Sequence, residues 1–111
     1  VKLKTPLTAA VVVVTLGWPI PHGFAADADV GKTVYEKNCA GCHGADGKGN
    51  PALAKTMGEK GLNIVGKETK QKSDEEILKI IVEGAGKMPA SKKLTKAEQK
   101  AVLQYSRSLA K

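Results

Sequence analysis

What is scarce in this sequence narrows it first. Aromatic residues occupy 4% of the 111 positions: one Trp, two Tyr and one Phe. So few large side chains build only a modest core, and with no nucleic-acid motif beside them they argue against base recognition. There are two cysteines, Cys39 and Cys42, and two histidines, His22 and His43. A closed structural zinc site takes about four ligands, and too few remain once His22 is set aside with the leader described below. No stretch alternates apolar and polar residues as a half-buried strand does. The cysteines therefore lack the alternating strand–helix surroundings of a thioredoxin-like redox fold. No internal repeat or low-complexity tract occurs. The one apolar run, Leu7 to Leu16 with Val11–Val14 at its centre, is shorter than the ~20 residues that cross a bilayer.

That run has Lys2 and Lys4 before it and Pro19 and Pro21 after it. Gly23-Phe24-Ala25 then places small residues at both positions a signal peptidase reads. Residues 1–25 are expected to be a cleaved signal peptide, and 26–111 a single domain; a retained membrane anchor is the alternative. The formal charge of the whole chain is +7. Cleavage leaves sixteen basic residues against eleven acidic, about +5. Tyr35 and Tyr105 are then the only aromatics, and a domain this small is marginal without a staple.

Near the start of that domain stands Cys39-Ala40-Gly41-Cys42-His43. Two cysteines bracket two small residues and a histidine follows at once, the spacing of c-type haem attachment. Each thiol can add across one haem vinyl group to give a thioether. The histidine is then held under the iron as an axial ligand. Ala40 and Gly41 let the backbone pass close to the porphyrin edge. A redox disulfide competes with this reading, because an exported protein meets an oxidising compartment; the adjacent histidine favours haem. Export fits as well, since thioether-bound haem is installed outside the bacterial cytoplasm. A large apolar cofactor would also supply much of the missing core.

After cleavage His43 is the only histidine, which excludes two histidine ligands by counting. The sixth position is left to Met88, Met57, a lysine or nothing. Met88 precedes Pro89 between two expected helices, so it can reach across a haem without breaking regular structure. Met57 reads more simply as a packing methionine.

Asp27 is a candidate cap for a first helix reaching about Asn38, with Val30 and Val34 on one face and Gly31 and Tyr35 beside them. Gly44 to Pro51 reads as a turn-rich loop. Ala52 to Met57 reads as a short helical turn. Glu59 to Lys72 reads mostly as loop, with Leu62, Ile64 and Val65 facing the haem. Ser73-Asp74-Glu75-Glu76 and Thr95-Lys96-Ala97-Glu98 are two capping boxes. The first opens a helix ending at Gly84 or Gly86. The second opens a last helix with Ala101, Val102, Tyr105 and Leu109 on one face. Lys87-Met88-Pro89-Ala90 reads as extended.

These anchors resemble a class I cytochrome c of the short bacterial monohaem kind, over nearly all of Asp27 to Lys111. The resemblance implies an all-α, small cytochrome c fold of three to five helices. They would wrap around one haem c, covalently attached through Cys39 and Cys42. His43 and Met88 are the implied metal ligands, a pairing that raises the reduction potential and leaves no open coordination site. Pro51 is the implied carbonyl partner of the second imidazole nitrogen. Gly31 and Tyr35 would cross Val102 and Tyr105. The tryptophan that many members place against a haem propionate has no counterpart in residues 26–111.

The implied function is that of a periplasmic carrier of single electrons between redox partner proteins, not an enzyme. The alternative is a haem-based small-ligand sensor, or a haem enzyme subunit with a displaceable sixth ligand. A thiol oxidoreductase working through Cys39 and Cys42 is a further reading. The expected partners are redox proteins with an acidic docking face, steered by Lys48, Lys55, Lys87, Lys92 and Lys93. Nucleic acid and stable membrane insertion after cleavage are not expected, and the oligomeric state is expected to be a monomer or weak oligomer.

Overall fold

The computed structural model describes residues 23–111, together with 2, 10–14 and 17–19; side chains within the first helix are described from Asp27 onward. Most of the expected leader lies outside the described residues, including Lys4, both ends of the apolar run and His22. No helix among the described residues is long and apolar enough to cross a membrane.

Among the described residues seven helices follow one another: α1 (Gly23–Asn38), α2 (Ala40–His43), α3 (Pro51–Met57), α4 (Glu59–Leu62), α5 (Lys67–Gln71), α6 (Asp74–Glu83) and α7 (Lys96–Leu109). The domain is all-α. The count exceeds the expected three to five because α4 and α5 fall in the stretch read as loop. They are four and five residues long, too short for hydrophobic periodicity to reveal. α1 starts at Gly23, so Asp27 lies inside the helix and does not cap it. Ala25 and Ala26 are strong helix formers, and nothing before Asp27 stops the helix.

α1 packs chiefly on α7. A Cβ on Gly31 would run into the Ala101 carbonyl, so only glycine lets the two backbones approach this closely. Next to that crossing the Tyr35 and Tyr105 rings meet at 5.3 Å between centroids, tilted by 53°, within the centroid range of favourable aromatic pairs. Val34, Tyr35, Ile77, Ile81, Val102 and Leu103 form the core. Full burial of each aliphatic member contributes roughly 1.5–3 kcal/mol. Val30, expected on the same face, is instead 41% exposed; the buried face of α1 runs through Gly31, Val34 and Tyr35.

Both capping boxes form. Ser73 Oγ accepts from the Glu76 amide at 3.2 Å while Glu76 Oε2 accepts from the Ser73 amide at 2.7 Å. Thr95 and Glu98 repeat the pattern at 3.2 and 2.8 Å. The protein has a single arginine, Arg107. It donates to Asp74 Oδ1 at 3.0 and 2.9 Å, to the Thr69 carbonyl at 3.2 Å and to the Lys72 carbonyl at 2.7 Å. One rigid guanidinium fork thereby ties α7 to the end of α5 and the first turn of α6.

Candidate functional site

α1 delivers the first thiol. The Cys39 amide donates to the Tyr35 carbonyl at 2.8 Å, and the Cys42 and His43 amides both donate to the Cys39 carbonyl, at 3.2 and 2.9 Å. α2 is thus a single turn hung from the end of α1. Its spacing of three puts Cys39 and Cys42 on one side. Both thiols are free and half-buried. Burial, and secondarily the neighbouring Cys42, pushes the Cys39 thiol above its ordinary value. A thiol activated for attack shows the opposite shift.

His43 is the only buried polar residue among those described, at 8% exposure. Its Nδ1 lies 2.8 Å from the Leu62 carbonyl oxygen. A carbonyl can only accept, so Nδ1 carries the proton and Nε2 keeps the lone pair that a metal needs. The resemblance assigned this carbonyl to Pro51. The structure gives the bond to Leu62, while Pro51 stands exposed as the first residue of α3. A carbonyl at that position points along the helix axis into the helix's own hydrogen bonds.

The loop after His43 is held from both sides. The Gly49 amide donates to the His43 carbonyl at 2.7 Å and the Asn50 amide to the Cys42 carbonyl at 2.9 Å. Asn50 Nδ2 reaches back to the Gly41 carbonyl at 3.0 Å, and its Oδ1 accepts from the Ala52 amide at 3.0 Å. Asn50 therefore caps α3 and clamps α2 with one side chain.

Met88 closes a tight turn whose central residues are Gly86 and Lys87 and pairs across it with Ala85 in an antiparallel bridge, so Lys87 departs from the extended segment expected of Lys87–Ala90 and Met88 does not. The Ala85 amide donates to the Met88 carbonyl at 3.2 Å and the Met88 amide to the Ala85 carbonyl at 2.9 Å. Gly86 has φ +55° and no non-glycine residue among those described has positive φ, the type II′ pattern of a two-residue hairpin. Lys87 Nζ donates to the Thr56 carbonyl, beside Met57. Met57 is half-buried and outside the core cluster, so it is not the core filler it was read as.

Cys39, Cys42, His43, Met57 and Met88 all line one cavity of about 670 Å³, a cofactor-sized volume. Leu62, Ile64, Ile77, Ile81, Val102 and Leu103 give it apolar walls. Val65 was expected there too, but lies beside Gly47. Lys60, Lys70, Lys72 and Lys87 stand on its edge. Of the five lysines expected around the haem, Lys87 alone lines the cavity; Lys48, Lys55, Lys92 and Lys93 are exposed without lining it. Two thiols at vinyl spacing, a buried imidazole with a fixed tautomer, thioethers and apolar walls make a donor set that fits a haem c. The Leu62 carbonyl, Asn50, the Tyr35 hydroxyl and Arg107 were not singled out from sequence. Only Asn50 carried a local signal, a capping side chain directly before a helix-opening proline.

An all-α domain with this Cys-x-x-Cys-His turn opening on one apolar cavity defines a monohaem class I c-type cytochrome. Residues 26–105 match the family described as "Cytochrome C oxidase, cbb3-type, subunit III", and the chain belongs to that family. It is 38% identical over 87 residues to "Cbb3-type cytochrome c oxidase subunit CcoP" of Azospirillum brasilense, which covers 77% of this chain and 29% of that protein. It is 42% identical over 67 residues to "Cytochrome c6" of Leptolyngbya boryana, covering 60% of this chain and 73% of that one. It is 39% identical over 79 residues to "Cytochrome c6" of Rippkaea orientalis, covering 71% and 67%. The chain thus spans under a third of the oxidase subunit it matches, and two thirds or more of the two cytochromes c6.

Proposed function

We propose that the chain is a periplasmic carrier of single electrons, exported by residues 1–25 and active as residues 26–111. The observation that carries this reading is the shared cavity, where His43 and Met88 line the same space as Cys39 and Cys42. Bound haem supplies a one-electron Fe(III)/Fe(II) couple. Cys39 and Cys42 would hold it by thioethers. His43 would offer Nε2 to the iron while the Leu62 carbonyl fixes the ring, and Met88 would offer its thioether sulfur from its pinned turn. With both ligands in place the iron would be closed to oxygen and peroxide, and a thioether would favour the ferrous state. Apolar walls exclude water, so little solvent reorganises when the charge changes. Lys70, Lys72 and Lys87, beside the Lys60–Glu68 pair at 3.9 Å, give the cavity edge a net positive rim, which suits an acidic docking face on the partner.

The test is the spectrum of protein produced with a haem-attachment system, in both redox states. The expected outcome is colour that stays on the chain through acid–acetone extraction, a low-spin spectrum, and the weak near-infrared band of sulfur–iron(III) ligation. A high-spin protein that binds carbon monoxide readily would make it a ligand sensor or haem enzyme subunit instead. The likeness to the oxidase subunit favours one further reading, a fixed electron-relay module of a larger oxidase. A module of that kind would stay with the membrane fraction in native preparations, where a free carrier would not.

A further inference from the structure

Tyr35 is 1% exposed, and its hydroxyl donates to the Gly44 carbonyl at 2.6 Å. That carbonyl closes a turn by also accepting from the Gly47 amide at 3.2 Å. The Gly47 carbonyl accepts from the Ile64 amide at 2.8 Å. Two residues before Ile64, the Leu62 carbonyl accepts from His43 Nδ1 at 2.8 Å. The His43 carbonyl itself accepts from the Gly49 amide at 2.7 Å. The bonds form a circuit that leaves His43 through its backbone and returns through its ring. Apart from the imidazole, the Tyr35 hydroxyl is the one side-chain donor in it.

Packing alone does not call for that hydroxyl. The ring meets Tyr105 as a phenylalanine ring would. A buried hydroxyl is a burden unless it is bonded, and this one is bonded to the peptide that follows the proximal histidine. Burial pushes its pKa well above the ordinary tyrosine value, so it stays a donor throughout the working pH range.

We infer that Tyr35 is a positioning residue for the iron: its hydroxyl holds the Gly44–Gly47 turn, and through Ile64 and Leu62 it sets the strength of the bond to His43 Nδ1. The inference rests on the proposed reading that His43 binds haem iron through Nε2. A firm Nδ1–H···O bond makes the imidazole a stronger electron donor, and a stronger donor favours the ferric state. Tyr35 therefore keeps the potential lower than a phenylalanine at the same place would.

The experiment uses haem-loaded protein and two matched variants, Tyr35→Phe and Tyr105→Phe. The Tyr105 hydroxyl takes no part in the circuit, so its loss measures the effect of removing a ring hydroxyl nearby. Two readouts are taken: the midpoint potential, and the exchange rate of the His43 Nδ1 proton by NMR of the ferrous form. Tyr35→Phe is expected to keep covalent haem and a low-spin spectrum, with a raised potential and Nδ1 exchange about 5–10-fold faster, the loss of roughly one hydrogen bond. Tyr105→Phe is expected to move neither readout. A second arm incorporates 3-fluorotyrosine in the Tyr105→Phe background, where Tyr35 is the only tyrosine. The more acidic hydroxyl donates more strongly, so the potential should fall relative to unlabelled Tyr105→Phe. This arm decides alone if Tyr35→Phe does not fold. Unmoved potential and exchange in both arms overturn the inference, as does Tyr105→Phe reproducing the Tyr35→Phe shift. A wild-type protein without covalent haem overturns the functional reading, and the inference falls with it.

Discussion

Gly84→Ala should damage the protein through Met88. Gly84 has φ +77°, and a Cβ there would lie 2.5 Å from the Met88 carbonyl oxygen, 3.0 Å from the Ala90 nitrogen and 3.1 Å from the Pro89 carbonyl carbon. All three are backbone atoms, and none can swing aside as a side-chain tip does. Carbon–oxygen contacts settle at about 3.3–3.6 Å, so the Met88 carbonyl must retreat by roughly 0.8–1.1 Å. The Gly84 ψ of 172° puts that residue in a region that is essentially glycine's alone, costing an L residue about 1–3 kcal/mol, and the overpacking adds about 1–3 kcal/mol. Together these give a loss of about 2–6 kcal/mol. In a domain this small each 1 kcal/mol moves Tm by about 4–8 °C, so the melt should drop by at least about 8 °C. Gly86→Ala is the control. Its φ is +55° with nothing within 4 Å of the added carbon, so it carries the backbone term alone, about 1–2 kcal/mol. The assay is thermal unfolding of haem-loaded protein alongside the intensity of the near-infrared sulfur–iron band. Gly84→Ala should weaken the band as well as the fold, and Gly86→Ala should leave the band stronger. A Gly84→Ala protein with unchanged melt and band, or a Gly86→Ala protein equally damaged, would refute the reasoning.

Met88→Ala should abolish the near-infrared band, lower the potential and open the iron to carbon monoxide or cyanide, whereas Met57→Ala should do none of these; spectra of the two variants separate the methionines. Arg107→Lys keeps the charge but loses the fork that reaches Thr69, Lys72 and Asp74, so denaturant unfolding should show a loss of about 1–3 kcal/mol. The Ser73 amide and hydroxyl hold the Glu76 carboxyl below its ordinary value. That contribution is fully present above the unfolded glutamate pKa and is lost as pH falls through the lower folded one. Stability measured across the acid range should follow this limb, and Glu76→Gln, which removes the titrating group, should flatten it. If the lysine rim steers an acidic partner, the electron-transfer rate with that partner should fall as added salt shortens the Debye length toward ~8 Å; a salt-indifferent rate would leave those lysines as solubility groups.

Features whose partners lie within a few residues were readable from the chain alone. The Cys39–His43 turn is one, because its Cys-x-x-Cys-His spacing is written in five consecutive positions. The capping boxes at Ser73 and Thr95 are others, since each joins an N-cap residue to a glutamate three places on. The small-residue crossing at Gly31 and the Tyr35–Tyr105 contact followed from helical spacing combined with the resemblance. The tertiary structure decided what no local pattern encodes. The acceptor for His43 Nδ1 is a backbone carbonyl, identical in every residue, so only the path of the chain could select Leu62, nineteen residues away, over Pro51. The same holds for the carbonyls that Arg107 and the Tyr35 hydroxyl reach, and for the turn that pins Met88. Val30 and Val34 are alike in sequence, and only the angle at which α1 meets α7 exposes one and buries the other. Residue type and short spacing set the chemistry this protein can perform. Long-range packing, acting through backbone groups that carry no residue identity, set where each of those groups stands.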